Sequence, residues 1–139
     1  MKVTDLMIGD WVYRKRSYDN ELILCQIIAT NRKGCTIEFN NGSSWSGEWI
    51  GDIEPIPLTP EILEKNGFEP DCDKKYYKNK NWSNLIIRHC IECYEKDFCV
   101  GEMLYCYDTP QFNSWFSVLY VHELQHTLKL CGIDKEIVL

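Results

Sequence analysis

Residues 55–68 read PIPLTPEILEKNGF, and this stretch constrains the architecture more than any other. Thr59 is a good N-cap, and Pro60 suits the first helical position, where its missing N–H is not needed. Leu58 before the cap and Leu63 at the fourth helical position form a hydrophobic staple. Gly67 can take the left-handed position past the last turn, and Phe68 can then fold back onto Leu63. The spacing predicts a helix over 60–66, two turns long and stopped at both ends. Its task is architectural: it turns the chain between two sheet segments.

The segment before it, residues 11–50, reads as a β-meander. Its turns are NRKG at 31–34 and FNNGS at 39–43. Each is expected to be a three-residue loop closed by a left-handed Gly. Ala29 then faces Ile37, Ile27 faces Phe39, and Ile37 faces Trp45. Opposed residues share a face, so Ile27, Ala29, Ile37, Phe39 and Trp45 form one apolar surface. A two-residue Asn41-Gly42 turn would instead set Ile37 against Ser46 and turn Trp45 to the other face. With IGDWVY at 8–13 as an earlier strand, a small curled sheet or SH3-like barrel is expected.

After the helix, residues 74–108 return to β character in KKYYKN, SNLIIRHCIECYE and FCVGEMLYCYD. Glu95-Lys96-Asp97 is the expected turn between the last two runs. DTPQFN breaks the pattern. A helix is expected from Ser114 to Leu130, closed by Gly132. The final DKEIVL can add a short strand or lie along the surface.

The formal charge is −6, which disfavours nucleic-acid binding through clustered cations on phosphates. The one compact basic stretch, Arg14-Lys15-Arg16, reads as a solvated strand end; the rival is the edge of a nucleic-acid-binding barrel face. The opening MKVTDLMIGDW lacks the apolar core of a signal peptide. No apolar run approaches the roughly 20 residues of a membrane span. A cytoplasmic location without membrane contact is therefore expected.

Eight cysteines then read as reduced thiols that behave as small buried hydrophobes. The tempting group is His89, Cys90, Cys93 and Cys99, followed by Cys106. Zinc knuckles use C-x-x-C, but they bend sharply, and C-I-E-C holds no Gly or Pro. On a strand Cys90 and Cys93 point to opposite faces.

Three blocks together carry a resemblance: LMIGDWV near the start, IEPIPLTPEILEKNGF in the middle and YVHELQHTLKLCGI near the end. The chain resembles a family of small uncharacterised proteins encoded by Bacteroides and related bacteria, often within phages or mobile elements. The resemblance implies cytoplasmic expression, a small mixed domain and no established activity. Relatives can read H-Q-L-Q-N at the place of HELQH, which implies that this helix is not used there for zinc chemistry.

HELQH itself fits the H-E-x-x-H pattern of zinc metalloproteases. On a helix His122 and His126 lie one turn apart, and Glu123 can act as general base on a metal-bound water. Against this stands the helical wheel. With Val121 at 0°, Leu124, Leu128 and Cys131 fall between about −80° and 0° and define a buried stripe. His122 and His126 fall near 100° and 140°, beside Lys129, on the face expected to meet solvent. A third ligand is not evident: Asp134 and Glu136 follow too soon, and His89 lies on a distant strand. No G-x-S-x-G or phosphate loop is present.

The reading is an α+β protein. Residues 1–57 form an N-terminal β-meander or small SH3-like barrel. Residues 58–139 supply the short capped helix, a second antiparallel β segment and a C-terminal helix packed on the sheet. No catalytic, cofactor-binding or metal residue is assigned. The expected function is that of a non-enzymatic accessory or protein-interaction domain with an unknown protein partner. The alternative is a small zinc-dependent hydrolase using His122, Glu123 and His126.

Overall fold

The computed structural model describes residues 5–47, 51–90, 98–106 and 109–139, with backbone alone at 46–47 and 105–106. Among the described residues it is an α+β protein with two antiparallel sheets and two helices, mostly strand. The chain forms two compact units: Met1–Ile56 with Tyr120–His122, and Pro57–Leu119 with Glu123–Leu139.

The first unit holds β1 (Trp11–Lys15), β2 (Leu22–Thr30), β3 (Cys35–Phe39), β4 (Ser44–Gly47) and β5 (Ile53–Pro55). Their order is β4-β3-β2-β1-β5. Among the described residues this is an open sheet, and neither sheet closes into the barrel anticipated from the meander. Its core is built by Val12, Cys25, Ile27, Cys35, Ile37 and their neighbours, with Phe39 and Trp45 packed against it.

The second hairpin has the expected register. Ile37 stands opposite Trp45, and Gly42 is left-handed at φ 78. The first hairpin differs. Ile27 faces Ile37 and Cys25 faces Phe39, with a bulge between Ile27 and Ala29, and Ala29 is exposed. The cause is the turn. Asn31 Oδ1 accepts from the N–H groups of Lys33 and Gly34, and the Asn31 N–H donates to the Gly34 carbonyl at 3.0 Å. This side-chain-closed loop spans four residues between Thr30 and Cys35, which are paired. It needs no left-handed glycine, and the extra residue shifts the ladder until the bulge absorbs it.

The second unit opens with α1 (Pro60–Lys65). The Thr59 hydroxyl accepts from the Ile62 N–H. At the other end Gly67 has φ 80. Its N–H donates to the Glu64 carbonyl, and the Phe68 N–H donates to that of Leu63. Those two bonds are the Schellman closure, and Leu58, Leu63 and Phe68 are all buried. The C-terminal tail settles against this helix and forms no strand. Asn66 receives the Val138 N–H and donates to its carbonyl, and Ile137 is buried.

The second sheet holds β6 (Glu69–Pro70), β7 (Tyr76–Lys78), β8 (Ile86–His89), β9 (Phe98–Cys106) and β10 (Thr109–Val118), in the order β10-β9-β8-β7-β6. β10 corrects the expected break at DTPQFN and the helix start at Ser114. Pairing with β9 from Thr109–Cys106 to Val118–Phe98 outweighs local helix preference. Pro110 is tolerated because the strand lies at a sheet edge. The helix that follows, α2, spans only Val121–Leu130. Its end matches expectation: Gly132 has φ 75, and Gly132 and Ile133 donate to Lys129 and Leu128. The expected Glu95-Lys96-Asp97 turn lies outside the described residues.

Candidate functional site

The two zinc-pattern histidines lie on α2, though not as the wheel predicted. His122 is 4% exposed, and Gln125 and Thr127 are buried with Val121, Leu124 and Leu128. The buried arc therefore spans roughly 220° of the helix, where a stripe of about 80° was expected. Cys131, assigned to the stripe, is exposed because the helix ends one residue earlier. A helix buried over most of its girth places polar side chains inside wherever they fall, so the solvent-facing placement of His122 does not hold. His126 is half-buried.

The HELQH side chains have structural employment. The His122 ring stacks on Tyr120 at 5.8 Å and 10°. A Glu123 carboxylate oxygen accepts from the Leu119 N–H at 2.7 Å, serving a donor just before the helix. The Thr127 hydroxyl donates to the Glu123 carbonyl. Among the described residues no group of three or more His, Cys, Asp and Glu side chains lies close enough to hold a metal.

The basic stretch is likewise engaged. The Arg14 guanidinium lies 4.1 Å from the Trp45 ring centre. Lys15 pairs with Glu54 at 3.7 Å. Arg16 pairs with Asp19 and Glu21 and covers Tyr18. Of the cysteine group, Cys93 lies outside the described residues. Cys90 follows β8 and meets Cys99 of β9.

A different place in the second unit has the shape of a binding site. A cleft of about 550 Å³ is lined by Trp82, Leu85, Trp115, Phe116, Cys131 and Ile133, with Asn81, Ser83 and Asn84 at its polar side. Its volume falls within the range of ligand pockets, and its lining combines aromatic area with a few hydrogen-bonding groups. No charged side chain lines it. Trp82 is set by Phe68 at 5.9 Å and by the Lys135 ammonium over its ring.

Trp115 and Phe116 reach the cleft through a β-bulge. Ser114 stands opposite Gly101 and Phe116 opposite Val100, leaving Trp115 as the extra residue. At a bulge two residues on one strand stand against one on the other, and side chains are re-aimed. Gly101 makes the close approach possible: a Cβ there would lie 2.0 Å from the Asn113 carbonyl oxygen. Sequence reading missed these residues because it placed Ser114 onward in a helix. The available signal was FNSWFSV, an aromatic-rich run without any charge.

Among the described residues β10 is also an open edge, paired with β9 alone. Among the described residues the other three edges are blunted: β4 has four residues, β5 has three and ends in Pro55, and β6 has two and ends in Pro70. β10 has ten residues, TPQFNSWFSV, and no Lys, Arg, Asp or Glu. Exposed edges ordinarily carry charges, prolines or extreme shortness to prevent pairing. Here only Pro110, at one end, does so.

No helix among the described residues is long and apolar enough to cross a membrane. We find no family model that matches the chain, and no curated protein or solved structure that resembles it.

Proposed function

We propose that the chain is a non-enzymatic protein-interaction module that takes an extended, uncharged segment of a protein partner along β10. The observation that carries this reading is the contrast among the four sheet edges. Three are blunted, and the fourth is long and uncharged, with Trp115 and Phe116 each 39% exposed beside a cleft. A strand added to such an edge gains main-chain hydrogen bonds, and a pocket that receives one side chain supplies selectivity. Clustered aromatic side chains are the usual anchors of such surfaces. The neutral lining favours an apolar or aromatic side chain, because a charged one would lose its water without gaining a partner. The cytoplasmic setting and the phage or mobile-element origin implied by the three sequence blocks fit an accessory role of this kind.

Selection from a displayed library of extended peptides tests the reading. Uncharged peptides with an apolar anchor should be enriched. Their binding should slow amide exchange along 109–118 and weaken about tenfold or more in Trp115→Ala and Trp82→Ala. Enrichment of peptides whose binding leaves β10 exchange and both variants unaffected would defeat it. The zinc-hydrolase alternative has only the HELQH pattern in its favour, and metal content of the purified protein tests it directly.

A further inference from the structure

We propose that Cys90 and Cys99 form a two-thiol site that a hydroperoxide converts to a reversible disulfide. Their sulfur atoms lie 3.6 Å apart, and both side chains are half-buried, so a small oxidant can reach them.

The register explains why they meet. Arg88 stands opposite Cys99, and His89 opposite Phe98. Side chains alternate along a strand, so Cys90 returns to the face of Arg88 and therefore of Cys99. The two cysteines are diagonal neighbours on one face, a relation that brings side chains within reach. One residue away, the His89 and Phe98 rings stack at 4.4 Å and 9°, and the His89 N–H is held by the Lys75 carbonyl at 2.8 Å. These contacts pin both strand ends, so the sulfur approach belongs to the ladder. By contrast Cys25 and Cys35 are buried in the first unit's core, where their thiols are shielded.

The chemistry balances with a hydroperoxide as oxidant. The thiolate of one cysteine attacks a peroxide oxygen; the O–O bond breaks, and water or an alcohol leaves. The resulting sulfenic acid is attacked by the second thiol, which forms the S–S bond and expels water. Two thiols are oxidised, and one peroxide is reduced. A dithiol reductant returns both thiols by exchange. Because the two sulfur atoms already lie 3.6 Å apart, this pair should react before cysteines that lack a nearby thiol.

The test uses the full chain, purified reduced, treated with one equivalent of hydrogen peroxide and alkylated in denaturant without reductant. Combined cleavage after Lys, Arg and Glu places Cys90, Cys93, Cys99 and Cys106 on separate peptides, because Arg88, Glu92, Glu95, Lys96 and Glu102 intervene. The expected product is one Cys90–Cys99 bond per chain, lighter by two hydrogen atoms and restored by dithiothreitol. In Cys90→Ser the bond should vanish, and Cys99 should become trappable as a sulfenic acid by a dione probe. Cys93→Ser and Cys106→Ser should still form it. Alkylation of both Cys90 and Cys99 after oxidation overturns the proposal, as does a bond from either one to Cys93 or Cys106. Mapping in the parent protein decides the matter even where a variant folds poorly.

Discussion

Trp115 and Phe116 are consecutive residues of one strand, yet both line the same cleft. Regular alternation would send them to opposite faces. The bulge between Ser114 and Phe116 removes that alternation for one step, and Gly101 across from it leaves room for the backbone to bend in.

Gly101→Ala should therefore damage the second sheet. The new methyl would meet the Asn113 carbonyl at 2.0 Å, and backbone atoms cannot rotate away as a side chain can. Forced overpacking of this kind costs about 1–3 kcal/mol. Denaturant melting should show the loss, and the protein's tryptophan fluorescence, to which Trp115 contributes, should change. A variant that matches its parent in both would mean that β9 and β10 are farther apart than described.

The closure of α1 can be tested at two positions. Leu63 is fully buried, so Leu63→Ala should destabilise by about 2–5 kcal/mol. Gly67 has φ 80, and an alanine there should cost roughly 1–2 kcal/mol through its Cβ. Equal melting curves for parent and Gly67→Ala would show that the left-handed closure is not formed.

His122 and His126 should now separate in their effects. His122 is buried and stacked on Tyr120, so His122→Ala should cost about 1–3 kcal/mol, as buried positions do. His126 is half-buried, and His126→Ala should cost less, about 0.5 kcal/mol. Chelator should leave the parent's melting temperature unchanged. A fall of several degrees in the parent, absent in His126→Ala, would restore the metalloprotease reading, because metal bound only to the folded state adds stability.

Alkali should destabilise the first unit through Cys25. Burial, and then the nearby Cys35 thiol, raise its pKa from 9.0 to about 11. The fold disfavours the thiolate, so this contribution is complete below pH 9 and is lost as pH rises towards 11. Its full size is on the order of 2–3 kcal/mol. Cys25→Ala should start from a lower stability and lose this part of the alkaline slope. An unchanged slope between pH 9 and 11 would place the thiol in contact with water.

What could be read from the sequence was what neighbouring residues settle among themselves. Thr59, Pro60 and Gly67 mark the ends of α1 through bonds that span a few residues, and Gly132 ends α2 in the same way. The left-handed Gly42 set Ile37 against Trp45. The NRKG loop was misread because Asn31 closes it through its side chain, a choice that the presence of Gly34 conceals. The other differences arose from packing between elements. FNSWFSV became a strand because β9 offered a complementary edge. The bulge that builds the cleft depends on Gly101, across from it on the neighbouring strand. The burial of His122 follows from packing around most of α2, whereas a helical wheel ranks the faces of a helix and carries no information on how many of them are covered. Caps and turns are local equilibria that a short stretch can determine. Edge pairing and burial depend on partners that only the folded chain brings together.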